Sequence, residues 1–450
     1  MSEKKINNNM MNRRKFIQST TAAGAGMLFA GKSFGIIHGS KMDDLNVAIL
    51  GTGAEGQVLM NACLKIPGIR FKAVCDIWTK YNQRRASRIL KAYGHEHNTY
   101  VDYREMLDKE KDRLDAIIIA TPDFWHAEHT IASLNAGLHV YCEKEMSNTL
   151  EGAKRMVLAA KKTGKLLQIG HQRRSNPRYI YSYQTIIEEL KLLGRITTVH
   201  GQWNRSARPD LGWPPKAAID QRTLEKYGFK SMHQFRNWRW YRGLGGGPVV
   251  DLGSHQIDIF GWFLDANPST VEASGGTDYY DKKTHEWYDN VLSIFVYNTK
   301  YGVVRAFYQV ITTNSNQGYY ETFMGDQGTL LISEAGSRGG VYKEPLAPDW
   351  DKWVKKGYIE APVEENKPKK AEVVLDVRET LAPPSYGLPV KLTDPYHKPH
   401  LENFFDAIKG KAELNCPAEI GYETAVTVLK VNQAVEAGRR LAFRENEFHV

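Results

Sequence analysis

Between Leu45 and Gly170 the apolar residues fall in short unbroken runs: "LNVAIL" (45–50), "RFKAVC" (70–75), "LDAIIIA" (114–120), "LHVYC" (138–142) and "LLQIG" (166–170). Stretches with helical spacing separate them, including one from Ala54 to Ile66 that ends at Pro67-Gly68 and one from Lys80 to Tyr93. Continuous apolar strands alternating with helices predict a parallel sheet covered on both faces, a doubly wound α/β domain over 45–170. Beyond Asn176 the pattern changes. A helix is predicted for Tyr179–Leu193, and "ITTVHGQWNRS", "NVLSIFVYNT", "VVRAFYQVIT" and "TLLISE" then alternate apolar and polar positions. Alternation predicts a large open, mostly antiparallel sheet with one buried face, the basis of an α+β domain over 171–450. Residues 335–397, rich in Pro, Gly and Lys, read as surface loops, and helices over Leu401–Ile408 and Ile420–Arg440 close the chain.

The chain before Leu45 belongs to neither pattern. Arg13-Arg14, then "KFIQST" and a weakly apolar Ala/Gly stretch, have the order of a secretory signal, and the arginine pair resembles the twin-arginine type. The apolar run is too short and too rich in small residues for a membrane anchor, which needs roughly 20 strongly apolar residues. The expectation is a signal over 1–35, a linker over 36–44 and an exported, periplasmic-type protein handled by the twin-arginine machinery. This segment also supplies much of the net charge of +9, through Lys4, Lys5, Arg13, Arg14, Lys15 and Lys32 against Glu3. The remainder is only mildly basic, and no basic stripe interleaved with aromatics marks a nucleic-acid surface. Cys63, Cys75, Cys142 and Cys416 show neither paired spacing nor the density of a disulfide scaffold.

"GTGAEG" follows the first strand and opens the first helix. Gly51 allows the tight turn, Gly53 lets backbone approach a pyrophosphate, and Gly56 lets helix and strand pack closely; Thr52 and Glu55 share the turn. Asp76 ends the second strand 20 positions after Gly56, where a carboxylate accepts from a ribose 2′-hydroxyl and repels a 2′-phosphate. The pattern points to NAD in preference to NADP.

With "ATPDFWHAEHTIASLNAGLHVYCEK" (120–144) and "GGGPVVDLGSHQID" (245–258), the chain resembles the Gfo/Idh/MocA oxidoreductases over most of its length after Leu45. The resemblance implies a Rossmann domain followed by a large open sheet, often paired in homo-oligomers, and hydride transfer between nicotinamide and a sugar hydroxyl. It places Thr121, Pro122, Trp125 and His126 at the cofactor, Glu143 and Lys144 near the nicotinamide, and Gln172 at its ribose. Asp251 and His255 would face it from the second domain. Hydride leaves a carbinol carbon only as the hydroxyl loses a proton, which makes His255 the expected base. If 248–264 is one helix begun by Gly247 and Pro248, Asp251 lies on the same face four residues earlier and would orient the imidazole and favour its charged form. Lys144 would bind the substrate oxygen. Arg173, Trp203, Arg239 and Trp240 offer flat faces and donors to a sugar ring. His126, His129 and His171 are assigned to hydrogen bonding, with no metal expected.

One position departs from the family, which has Glu-Lys-Pro where this chain has Glu143-Lys144-Glu145. The change removes the restraint that proline places on the preceding residue and sets a carboxylate beside Lys144. Some members of the family are glycoside hydrolases that oxidise transiently, eliminate the leaving group and reduce again. The resemblance therefore implies a sugar or glycoside dehydrogenase, with a redox-neutral hydrolase as the alternative and a non-catalytic sugar binder as a third. Export bears on this choice: a folded protein sent away from the cell's nucleotide pool has to keep its NAD and regenerate it in place.

Overall fold

The computed structural model describes residues 44–362 and 383–450; the expected signal and all but the last residue of the linker lie outside them. The first domain is a six-stranded parallel sheet, β1 (Leu45–Leu50), β2 (Ile69–Cys75), β3 (Asn98–Tyr100), β4 (Ala116–Ile119), β5 (His139–Cys142) and β6 (Leu167–Ile169), in spatial order β3-β2-β1-β4-β5-β6. Helices alternate with the strands: α1 (Ala54–Cys63), α2 (Arg84–Ala92), α3 (Tyr103–Glu110), α4 (Asp123–Asn135) and α5 (Leu150–Thr163). The unbroken apolar runs follow from burial on both faces. In β1, Val47 and Ile49 pack into one core cluster and Ala48 and Leu50 into another.

The strand order reverses between β1 and β4. In open α/β sheets, ligands bind at such a switch point, beyond the carboxyl ends of the strands. Gly51 leaves β1 there with φ +87°, and a Cβ on it would come within 2.6 Å of the Ala120 carbonyl oxygen after β4. A Cβ on Gly56 would lie 2.0 Å from the Gly51 carbonyl oxygen. Gly56 is the close helix–strand contact, as its place in the fingerprint predicts.

The second domain is built on nine strands. β7 (Ile196–Asn204), β8 (Pro268–Gly276), β9 (Asn290–Thr299), β10 (Gly302–Ile311), β11 (Tyr319–Gly325), β12 (Gly328–Ile332), β13 (Gly339–Lys343), β14 (Ser385–Tyr386) and β15 (Leu441–Ala442) lie in the order β14-β13-β12-β11-β7-β10-β9-β8-β15. Every pairing is antiparallel except β7 with β10. The alternation reads directly in β9, where Val291, Ser293 and Phe295 are buried and Leu292 and Ile294 exposed. Helices cover the inner face, including the pair α6 (Gly247–Asp251) and α7 (Gly253–Leu264), then α8 (Lys398–Ile408) and α9 (Ala418–Ala437). The single helix expected over 248–264 is broken at Leu252, and Gly246 caps it with Gly247 and Pro248 in its first turn. Residues 335–362, expected as loop, contain β13 and a short helix, Asp351–Lys355. α8 returns to the first domain, where Leu401, Phe404 and Phe405 join the core over β1 and β2.

Between β7 and α6, residues 205–245 cross back over the carboxyl edge of the first sheet. Leu224, Tyr227, Phe229, Met232, Trp238, Tyr241 and Leu244 form a third core with Trp78 of the first domain. Trp78 Nε1 donates to the Ala217 carbonyl, Trp125 Nε1 to that of Tyr227, and Lys226 pairs with Asp102 at 3.0 Å. Among the described residues no helix is long and apolar enough to cross a membrane.

Candidate active site

The switch point, the 205–245 segment and the inner wall of the second sheet enclose one continuous cavity of about 730 Å³. Its inner end is the fingerprint turn. α1 begins without a side-chain cap, so its first amide groups are left for a ligand, and the place of a Cβ on Gly53 is open, with no atom closer than 3.9 Å. This cradle fits a pyrophosphate. Thr52 builds the turn rather than lining the cavity: its amide and hydroxyl both donate to Asp76 Oδ2, at 2.7 and 2.9 Å, while Trp78 N–H donates to Oδ1. Burial pushes the Asp76 carboxyl up, opposed by these hydrogen bonds. Asp76 therefore fixes the turn and also faces the cavity, where a ribose hydroxyl would meet it.

Further along, Glu55 and Glu143 approach His397, a residue brought in by the segment before α8. His397 Nε2 lies 3.2 Å from Glu55 Oε1, and among the described residues these three form the single group of carboxylate and imidazole atoms within 4.8 Å of one another. Burial, then the Glu55 carboxylate, pushes Glu143 up to about 8. Thr121, Pro122, Trp125 and His126 line the wall at the start of α4. His126 stands between two carbonyl oxygens, Nδ1 2.7 Å from that of Glu145 and Nε2 2.6 Å from that of Thr121. Burial lowers it to about 4 against the pull of both carbonyls, and the single N–H of the neutral ring donates to one of the two. His129 meets the Thr121 hydroxyl at 3.0 Å and stacks on Trp125, and neither histidine belongs to a group of metal-ligating atoms among the described residues.

Lys144, Asp251 and His255 meet where the two domains face each other, all three on the cavity. Lys144 Nζ donates to the Asp251 carbonyl at 2.5 Å and lies 3.4 Å from its Oδ1; Arg239 Nε reaches the same carboxylate oxygen at 3.0 Å. Burial alone would raise the Asp251 carboxyl, but Arg239 and Lys144 outweigh it and hold it well below the usual carboxylate range. The expectation that Asp251 orients His255 and favours its charged form is therefore replaced. The break at Leu252 separates the two residues, and two cations take the carboxylate. His255 Nδ1 has no hydrogen-bond partner among the described residues, and burial, then Lys144, lowers the ring well below its ordinary value. A neutral imidazole is what a proton acceptor requires. Trp203 closes the site, its ring 5.5 Å from that of His255 and stacked on Tyr319 at 4.6 Å.

Other expectations are also revised. Arg173, expected at the substrate, is 1% exposed and does not line the cavity; it bonds to Glu321 and Glu334 behind the Trp203 wall. Gln172 does line the cavity and donates to Glu334 at 3.2 Å. Glu145 neither points to solvent nor holds Lys144. It is buried, accepts from the Met146 amide at 2.8 Å, and burial pushes it up to about 8. Arg239 and Trp240 line the cavity. Asp123, inside the quoted motif, was overlooked: it lines the cavity, and burial, then Asp251, raises it to about 7. Arg205, the residue that follows β7, and His397, in a stretch with no sequence signal, were also missed.

Known proteins resemble this chain in sequence and in fold. The chain is 32% identical over 231 residues to inositol 2-dehydrogenase of Salmonella typhimurium, covering 51% of this chain and 57% of that one. It is 28% identical over 176 residues to a glycosyl hydrolase family 109 protein of Shewanella baltica, covering 34% and 38%. The matches thus span about half the length of these curated relatives, or less. The WlbA dehydrogenase of Bordetella pertussis, solved with NADH and UDP-GlcNAcA, shares the fold, with a TM-score of 0.63 at 19% identity, covering 89% of this chain and 99% of that one. The family model for the oxidoreductase family's NAD-binding Rossmann fold matches residues 45–171, and that for its C-terminal alpha/beta domain matches 187–443, so the chain belongs to the Gfo/Idh/MocA oxidoreductase family.

Proposed function

We propose that this chain is an NAD-dependent oxidoreductase acting on a ring hydroxyl of a sugar or glycoside. The observation that carries the reading is the convergence of Lys144 and a neutral His255 on one cavity with the dinucleotide cradle. The turn at Gly51 and Gly53, with Asp76, would hold the dinucleotide, which would supply a hydride acceptor for the carbinol carbon. His255 accepts the hydroxyl proton, and Lys144, held in place by Asp251, hydrogen-bonds the same oxygen and lowers its proton affinity. Trp203 and Trp240 offer their faces to the apolar side of the sugar ring, excluding water from the site.

The cofactor is proposed to stay bound through the cycle. The 205–245 segment supports this, because its apolar core with Trp78 covers the edge across which a dinucleotide would leave. The same cover favours the redox-neutral hydrolase as second reading, since an enzyme that cannot exchange its nucleotide has to restore it at each turnover. The inositol dehydrogenase and family 109 hydrolase relatives bracket the two readings. We take Arg13-Arg14 as the export signal that makes retention necessary. The half-exposed Leu292, Ile294 and Val303 on the open face of the sheet support pairing with a second copy.

Native protein recovered from fractionated cells tests these points together. It is expected in the exported fraction, with a native mass at a multiple of the single chain and one NAD per chain released on denaturation. Incubation with a glycoside panel then yields either a keto-sugar or a free sugar without net NADH. Nucleotide-free exported protein that is fully active on added NAD would remove the retained-cofactor reading.

A further inference from the structure

Away from the fingerprint turn and the Glu55–Glu143 pair, the cavity is lined by Lys144, Arg205, Arg208, Arg236 and Arg239 against Asp123, Asp210, Asp251 and Glu334. Its carboxylates are already engaged: Asp251 by Lys144 and Arg239, Glu334 by Arg173 and Gln172, and Asp210 by His233 at 2.7 Å and His285 at 3.4 Å. Asp123 is raised to about 7 by burial and by Asp251. Arg205 and Arg208 line the same space, and neither guanidinium has an ion pair or hydrogen bond to any described residue. Arg205 is only partly exposed and rests on the Trp203 ring at 5.1 Å, on the ring that also stands 5.5 Å from His255. Burial pushes its pKa down, with Asp251 giving partial compensation. A guanidinium withdrawn from water without a counter-ion is costly unless a ligand supplies the charge. Its planar fork matches a carboxylate, and the guanidinium lies within cation–π range of the Trp203 ring.

We propose that the substrate is an anionic sugar bearing a carboxylate, a uronate or a uronic-acid residue of a glycoside, whose carboxylate is received by Arg205 with Arg208. This rests on the proposed hydroxyl oxidation: the sugar ring lies along Trp203, with the reacting hydroxyl at Lys144 and His255 and the carboxylate at the far edge. Arg205 acts as a specificity residue, through binding and not through proton transfer.

The test compares hexosides that differ only at C6, as hydroxymethyl, carboxylate, sulfate ester or phosphate ester, with the full chain holding NAD. The carboxylate is expected to exceed the neutral sugar at least 10-fold in kcat/KM. Arg205→Gln should lose about 10- to 100-fold of that advantage, mainly in KM, and Arg205→Lys, which keeps the charge without the fork, should lose less. Binding of the same four compounds to the Lys144→Ala chain, followed by calorimetry, gives the ranking without turnover. Uronate binding without oxidation of any sugar would sink the proposed reaction and leave the anion site standing. Equal or tighter binding of the neutral sugar, a preference for the sulfate or phosphate ester, or an Arg205→Gln effect that is the same for all four, overturns the proposal.

Discussion

Lys144→Ala is expected to lower kcat about 10²- to 10⁴-fold, the usual worth of a positioned proton-transfer partner, while the protein still folds and still carries NAD. Nζ contacts the Asp251 carbonyl and approaches its carboxylate, whose Oδ1 keeps Arg239 as a second partner, so removal leaves no buried carboxylate unpaired. A pH profile separates this role from simple packing. After burial, the Lys144 charge is the largest influence lowering His255. A neutral base loses activity as pH falls through its pKa, so removing that charge raises the imidazole pKa and moves the acid limb of kcat/KM to higher pH. Lys144→Ala with full turnover, or with reduced turnover and an unmoved acid limb, would show that Glu145 in place of the family's proline has released Lys144 from this chemistry.

How far the site could be read from sequence depended on the range of the contacts involved. The nucleotide half was legible because its determinants are local. Gly51, Gly53 and Gly56 are within six residues, and Asp76 directly follows the next strand, so strand periodicity and one motif place them all. Lys144 and His255 were legible only through the family motifs, since nothing in local spacing says that α7 faces the end of β5. The pairing of Asp251 with His255 failed because helical spacing assumed an unbroken helix, and the partners that capture the carboxylate, Lys144 and Arg239, come from other elements. The packing of 205–245 over the first domain, Arg205 and His397 were invisible for the same reason. Their roles follow from crossing between domains, and the aromatic residues of the segment carry no period that distinguishes a cover from a loop.

Arg173 shows the largest difference between the two readings, and Arg173→Met is expected to destabilise the fold by about 3–5 kcal/mol, measured as a fall in denaturation midpoint. Its side chain is enclosed by Glu321, itself fully buried, and by Glu334 at 2.9 Å, and it lies against the rings of Tyr179, Trp203 and Tyr319. Removing the cation leaves two carboxylates in the apolar interior with only the Tyr179 hydroxyl and Gln172 as donors. Burial already raises Glu321 to about 7 against the pull of Arg173, and without that pull it rises further. A carboxyl whose folded pKa is above its unfolded value favours folding at low pH and loses that contribution as pH rises. The variant should therefore be least impaired near pH 5 and progressively weaker through pH 8, and adding Glu321→Gln should restore part of the loss and flatten the dependence. The Trp203–Tyr319 stack rests on this cluster, so activity falls with stability even though Arg173 touches no substrate. An Arg173→Met chain with an unmoved denaturation midpoint and a raised KM would put the guanidinium in the sugar site after all, and would require that the wall carrying Trp203 open when substrate binds.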